Sequence, residues 1–336
     1  MMRFAPPPRL LTGAVLLVAA MLVASCTGGG DAIAVGTPTS VEPATTVDAP
    51  EEPTTTDTSD TEPIPVERPL ANPATVLAVS DLTDCRGPDL EVAELVRSLE
   101  GTVLMAGDLA YGEGTQQQFD DCFLPLYGSE LDRIYASPGD NDYKTPGAAP
   151  YYATMSGQPG EAGKGWYAAE IGSWQLVSLN SNCGEVGGCR EGSEQYEWLE
   201  DLLDAKQYDC RIVMWHQPRF TSSANYSGLP RMGDFYSLLH EAGAEILIVG
   251  NSHHYERLGP LLPSGEPGSG GLMNFTIGTG GASLTEFGEP LPGSQIRNND
   301  SRGLVQFTLG DGGYDWEFIN VESNETELVD AGSVDC

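Results

Sequence analysis

The residues able to do chemistry in this 336-residue chain gather at the ends of short apolar runs. Asp81 follows Ala78-Val79-Ser80, Asp108 follows Met105-Ala106-Gly107, and Asp140, Asn141 and Asp142 follow Pro138-Gly139. His216 follows Met214-Trp215, while Asn251, His253 and His254 follow Val249-Gly250. Taken singly each has an ordinary structural role: a short acid caps a helix or closes a turn, and a histidine sits half-buried and satisfied. Together they resist that account, because three of the chain's four histidines fall at these run ends. Carboxylate, amide and imidazole ligands brought to one place suit a pair of divalent or trivalent cations bridged by one carboxylate. Such a pair holds a phosphate ester, lowers the pKa of a bound water and stabilises an in-line attack, so the implied chemistry is phosphoester hydrolysis.

Placing these groups requires buried strands with polar ends. The runs Thr75 to Val79, Thr102 to Met105, Arg133 to Ala136, Arg211 to Trp215 and Glu245 to Val249 read as such strands. Helical patterns lie between them, at Leu90 to Leu99, Ser193 to Ala205 and Asp234 to Ala242. Alternating strand and helix predicts a parallel sheet, whose carboxyl edge collects the strand ends. A second group of runs, at 166–170, 174–179, 274–277, 304–309 and 314–319, has less intervening helix and reads as a more antiparallel sheet.

The first 26 residues carry Arg3 and Arg9, an apolar stretch Leu10–Val23, and then Ala24, Ser25 and Cys26, the layout of an export signal. The apolar stretch is shorter than the roughly 20 residues a spanning helix needs. Val23-Ala24-Ser25-Cys26 fits a lipobox, so Cys26 is expected to carry a lipid and hold an exported protein at the cell surface. Residues 27–72 are rich in Thr, Pro and acids and read as a disordered tether, leaving residues 73–336 as the folded domain. With a net charge of −33, nucleic-acid binding is disfavoured, and the membrane is expected to be met through the lipid alone. Beyond Cys26 the cysteines are even in number, which suits disulfides in an exported chain. Cys183 and Cys189 bracket a Gly-rich stretch and read as a local staple; Cys85 with Cys122 and Cys210 with Cys336 are pairings among several that the sequence permits.

The blocks Gly107-Asp108-Leu109-Ala110-Tyr111, Pro138-Gly139-Asp140-Asn141-Asp142-Tyr143, Trp215-His216-Gln217-Pro218 and Gly250-Asn251-Ser252-His253-His254-Tyr255-Glu256-Arg257 stand in a telling order. They resemble, in order and spacing, the motifs of calcineurin-like metallophosphoesterases of the purple-acid-phosphatase type. The Cys183–Cys189 loop and Ile277-Gly278-Thr279-Gly280-Gly281 are similar to features of its bacterial secreted members. The resemblance implies an α/β fold with two mixed β-sheets packed as a sandwich and flanked by helices. It further implies that Asp81, Asp108, Tyr111 and His253 bind a first metal, iron where Tyr111 supplies a phenolate, with Asp108 bridging to a second.

At the second metal the chain departs from the pattern. His216 is kept, but gapless alignment puts Asp140 where an Asn ligand belongs, Asn141 where a catalytic His belongs, and Asn251 where a His ligand belongs. A one-residue shift instead makes Asn141 the ligand and puts Asp142 at the His position. Added oxygen and charge favour Mn, Mg or Ca over Zn there. His254, beside His253, is the candidate to take over the catalytic role of position 141, with Asn141, Tyr255 and Arg257 contacting substrate. Asn180, Asn182 and Tyr226 lie in loops that can face the leaving group. The expected partner is a phosphate-ester substrate; the alternative is a catalytically impaired metal- or phosphate-binding surface lipoprotein on the same fold.

Overall fold

The apolar runs become strands whose two faces are both covered, so neighbouring residues of one strand enter different cores. The computed structural model describes residues 70–83, 89–205, 208–321 and 330–336. The expected signal segment with Cys26, the tether up to residue 69, and Cys85 lie outside the described residues.

The first sheet contains β1 (Ala71–Val79), β2 (Thr102–Ala106), β3 (Ile134–Ser137), β11 (Gly303–Asp311), β12 (Gly313–Asn320) and β13 (Ala331–Asp335). Its order is β13-β12-β11-β1-β2-β3, with β1, β2 and β3 parallel and the rest antiparallel. The second contains β4 (Tyr167–Ile171), β5 (Trp174–Ser178), β6 (Arg211–Met214), β7 (Ile246–Val249), β8 (Tyr255–Leu261), β9 (Leu272–Ile277) and β10 (Ser294–Asn298). Its order is β10-β8-β9-β7-β6-β5-β4, with β5, β6, β7 and β9 parallel. The parallel strands are thus divided between two mixed sheets, not gathered in one as the alternation of strand and helix suggested. The tether boundary also shifts, because Ala71 and Asn72 belong to β1.

Period-two alternation builds the layers. Val76 and Ala78 of β1 join Leu104, Ile212, Met214, Ile248 and Phe307 in the core between the sheets. Leu77 and Val79 face the other way and pack with Val92 and Val96 of the helix Asp89–Ser98. On the far side Val213, Leu247 and Val249 pack with Leu199 of the helix Glu194–Ala205 and with Phe235 and Leu239 of the helix Gly233–Glu241. The result is a helix, sheet, sheet, helix sandwich. Disulfides join Cys183 to Cys189 and Cys210 to Cys336, and Cys122 is also disulfide-bonded.

Glu245, just before β7, accepts a hydrogen bond from the Arg211 backbone N–H at 2.6 Å. Burial pushes its carboxyl up to about 7, outweighing the amide donors and Arg211. A raised carboxyl favours the protonated form in the fold, so its contribution to stability is greatest below the unfolded value and is lost as pH rises toward 7. Glu245→Gln keeps an acceptor oxygen without the charge. Its stability relative to the native protein should therefore rise by about 1–3 kcal/mol between pH 5 and pH 8. Denaturant melts of both proteins at the two pH values measure this; an equal difference at both refutes the assignment.

Candidate metal centre

Five strand ends, three from one sheet and two from the other, meet at one edge of the sandwich. Asp81 leaves β1, Asp108 leaves β2, Asp140 follows β3, His216 leaves β6 and His253 follows β7. Main-chain hydrogen bonds stitch these ends together: Asp81 N–H donates to Gly107 O at 3.2 Å, Gly250 N–H to His216 O at 2.8 Å, and Ser80 N–H to Ile277 O at 3.0 Å. Asp81, Asp108 and Asn251 take left-handed backbone conformations, with φ of 58°, 54° and 62°. For residues with a Cβ this costs about 1–3 kcal/mol each and persists only where the surroundings enforce it. Here it turns the Asp81 and Asp108 side chains toward the cluster, and Asn251 meets it through its backbone N–H.

One ligand atom from each of Asp81, Asp108 and His216 lies within 4.8 Å of the others, and all three side chains are buried. His216 Nδ1 pairs with Ala106 O at 2.7 Å, which fixes Nδ1 as the protonated nitrogen and aims Nε2 at the carboxylates. Nε2 stands 3.3 Å from Asp108 Oδ2 and 3.2 Å from Asp140 Oδ1. Both Nε2 and Asp140 Oδ1 are buried without a hydrogen-bond partner. On the other side, Tyr111 donates its hydroxyl to Asp81 Oδ1 at 2.6 Å and lies 2.8 Å from His253 Nε2. His253 Nδ1 is held by Ser283 O at 2.9 Å, again leaving Nε2 for the cluster. Asn251 joins through its backbone N–H, which donates to Asp81 Oδ2 at 2.9 Å.

The electrostatics call for a cation. Burial alone would drive His216 toward its neutral form, yet Asp108, Asp140 and Asp81 hold its pKa well above the usual imidazole range. Burial raises Asp81, only partly opposed by His216 and His253. Burial likewise opposes ionisation of Asp108, but His216 and the Asn141 amide pull it down to about 2. Positive charge is therefore wanted where the carboxylates meet Nε2, and oxygen donors with two oriented imidazoles fit a hard or borderline metal ion.

Asp142 serves as a support. Its buried carboxylate accepts from the backbone N–H groups of Asp108 at 3.1 Å, Leu109 at 3.3 Å and Gly139 at 2.8 Å, tying the β2 and β3 ends together. Burial, then repulsion from Asp108, pushes it up to about 8. Asn141 lies on Asp108 itself, its N–H donating to Oδ1 at 2.9 Å and its amide nitrogen donating to Oδ2. Tyr226, half-buried, leans on His253 with ring centroids 5.4 Å apart, and Asp140 is 40% exposed, so these two mark the mouth. Asn182 donates to Pro138 O at 3.1 Å and Asn180 to Tyr143 Oη at 2.9 Å, fixing the loop wall beside the β3 end.

Three expected site residues are elsewhere. His254 is wholly buried, its ring tilted against Phe287 with centroids 4.1 Å apart and its Nε2 3.9 Å from Glu256 Oε2. Burial, then His253 and Arg297, pushes its pKa down to about 3. It has no accessible edge from which to serve a leaving group. Tyr255 and Arg257 open β8, and both turn their side chains to buried Asp330. Arg257 grips that carboxylate at 2.8 and 2.7 Å and lies over Trp316, while the Tyr255 hydroxyl also donates to it. They are sandwich residues, not substrate contacts. Conversely Lys144, which donates to Asn141 Oδ1, went unnoticed in the sequence, although it is one of only three lysines and stands three residues after Asn141.

A two-sheet sandwich with carboxylates, imidazoles and a phenol converging on its strand-end edge is the arrangement of a metallophosphoesterase. The family model described as calcineurin-like phosphoesterase matches residues 74–255, more than half of the chain, and the chain belongs to that family. It is 25% identical over 241 residues to an uncharacterized protein of Mycobacterium tuberculosis, covering 62% of this chain and 41% of that protein. It is 33% identical over 121 residues to purple acid phosphatase 18 of Arabidopsis thaliana, covering 34% of this chain and 26% of the plant enzyme. The chain thus spans well under two thirds of the length of these relatives. Among solved structures, purple acid phosphatase PPD1 of yellow lupin superposes with a TM-score of 0.68 at 20% identity, over 79% of this chain and 54% of that one. GAP50, the anchor in the inner membrane complex of Plasmodium, superposes at 0.60 with 14% identity, over 77% of this chain and 88% of its own.

Gly139 leaves no room for a side chain, since a Cβ there would overlap Asp108 Oδ1. Gly139→Ala should therefore displace Asp108 and lower cation affinity by about 10-fold or more. Elemental analysis of dialysed protein, with circular dichroism to confirm the fold, tests this; full metal retention would contradict the geometry.

Proposed function

We propose that the chain hydrolyses phosphate esters at a two-cation centre. Asp81, Tyr111 and His253 would hold one cation, Asp140 and His216 the other, with Asp108 shared and Asn251 beside both. The observation that carries this is the pair of oriented imidazole nitrogens, His216 Nε2 and His253 Nε2, on either side of Asp81 and Asp108. When bound, the cations neutralise phosphate charge and lower the pKa of water. The chain's own residues do the rest. Asp142 and Asn141 fix the Asp108 carboxylate, the carbonyls of Ala106 and Ser283 orient the imidazoles, and Tyr226 covers His253 at the mouth. The phenol at Tyr111 suits iron in the first position; the carboxylate at Asp140 suits Mn, Mg or Ca in the second, with Zn less favoured.

The disulfides fit an oxidising compartment, and among the described residues no helix is long and apolar enough to cross a membrane. We place the protein at the cell surface, in the bacterial secreted branch of the family, tethered through a lipid on Cys26 by the residues between Cys26 and β1. The second reading, a binding protein without turnover, draws on Asn141 standing where the pattern has a His, and on the fold being shared with a protein described as an anchor.

No imidazole is placed to protonate a leaving group: His216 and His253 are in the cluster, His254 is buried, and His240 lies on the helix Gly233–Glu241. Substrates whose leaving groups depart without a proton should be strongly preferred. Turnover of a nitrophenyl phosphate should exceed that of an alkyl phosphate by about 10²-fold or more, the usual worth of general acid catalysis. Equal rates would point to an acid not identified above.

Elemental analysis paired with a nitrophenyl phosphate assay tests the function itself. About two cations per chain and turnover lost on chelation or in Asp108→Asn are expected from the dinuclear mechanism. Cation binding without turnover under any added ion would select the binding-protein reading.

A further inference from the structure

Asn141 and Lys144 form a contact chain that reaches the shared carboxylate from outside the cluster. Lys144 closes the one-turn 3-10 helix Asp142–Lys144 and is exposed. Its ammonium donates to Gly112 O at 2.8 Å and to Asn141 Oδ1. The other end of the same amide, Nδ2, donates to Asp108 Oδ2. The amide cannot be turned around without loss: an ammonium only donates and an ionised carboxylate only accepts, so oxygen must face Lys144 and nitrogen must face Asp108. Asp108 Oδ2 is the oxygen that faces His216 Nε2 at 3.3 Å, on the side of Asp140. The amide donor therefore draws on the oxygen that the second cation needs, while the amide's own ligand atom is held away by Lys144.

We propose that Lys144 is a positioning residue that keeps the Asn141 amide oxygen out of the second cation position, so that the centre loads its cations in two unequal steps. This rests on the two-cation reading. With Lys144 in place, Asn141 presents N–H groups to Asp108 and the second cation is held mainly by Asp140 and His216. With the ammonium gone, the amide is free to rotate. Its oxygen then becomes an additional ligand, a hard donor of the type the Asp140 side already offers. The two sequence alignments at this loop, with Asn141 as a ligand or as a substrate contact, thereby become two rotamers of one side chain, selected by a lysine.

The test is equilibrium dialysis of the metal-depleted full chain against Mn²⁺, with bound metal measured by elemental analysis. The native protein should bind one equivalent and then a second more weakly. Lys144→Met should tighten the second step by about 10-fold with the first nearly unmoved, a change of the size expected when a group outside the ligand set is altered. Lys144→Arg, which can still donate to the amide oxygen, should behave as native. In an Asn141→Ala background, Lys144→Met should have no further effect. Tightening of both steps alike, or a shift that persists without Asn141, would show simple charge removal and overturn the clamp. Failure of the native protein to bind a second equivalent at any concentration would instead overturn the two-cation reading, and the clamp with it.

Discussion

Buried negative charge is the constraint on which this structure depends. Asp81, Asp108 and Asp142 are essentially inaccessible to solvent, and Asp140 approaches them from the rim. Several carboxylates at such distance in a protein interior cannot all ionise unless positive charge or strong donors meet them. The fold supplies both, in different places. Asp142 is met by three backbone N–H groups, yet burial, then repulsion from Asp108, outweighs them and keeps its proton affinity high. Asp108 is met by His216 and Asn141, and its proton affinity falls. Adjacent acids thus divide their labour: one braces the strand ends and the other is left ionised to bind.

That division needs two sheets. A single parallel sheet offers one row of strand ends, and ligands from neighbouring strands would lie side by side. Here β1, β2 and β3 bring Asp81, Asp108 and Asp140 from one sheet, while β6 and β7 bring His216 and His253 from the other, so the acids are faced by imidazoles. The contact is close enough that the backbone must yield. Left-handed conformations at Asp81, Asp108 and Asn251, and a glycine at 139 where any side chain would strike Asp108, are the local cost of closing the ring. The inter-sheet core, with Val76, Ala78, Met214 and Ile248 fully buried, provides the rigidity that holds it.

The strand-end positions were legible in the sequence because burial and chemistry alternate abruptly there: apolar runs stop and acids or histidines begin within a few residues. The three longer helices were legible from their apolar periodicity. Which sheet each strand joins was not, since a strand covered on both faces reads as a continuous apolar run in either sheet. Nor was the fate of Tyr255 and Arg257. Their closeness to His253 in sequence suggested the site, but β8 begins at Tyr255, and the strand carries both side chains to Asp330, a residue 75 positions away from Tyr255. His254 failed for the same reason. One residue beyond His253, it faces Phe287 and Glu256 instead of the cluster. Lys144 was invisible because its significance lies in a contact with one amide oxygen, which no spacing rule announces.

The altered positions gain a physical sense from this arrangement. A carboxylate at Asp140 and an amide at Asn141 do not merely subtract an imidazole; they change what stands opposite His216. With a carboxylate at the rim and N–H donors on Asp108, the proposed second cation position would be richer in negative charge yet less tightly enclosed, since Asp140 remains 40% exposed. A cation there would be held by charge more than by a cage. Hard ions that keep part of their water shell suit such a position better than ions that demand a closed tetrahedral set. The first side, where Tyr111 and His253 are braced by Asp81 and Ser283, is by contrast preformed. The asymmetry between a rigid side and an open one follows from the chain's own residues, and on the two-cation proposal it would make exchange at the open side the natural point of control.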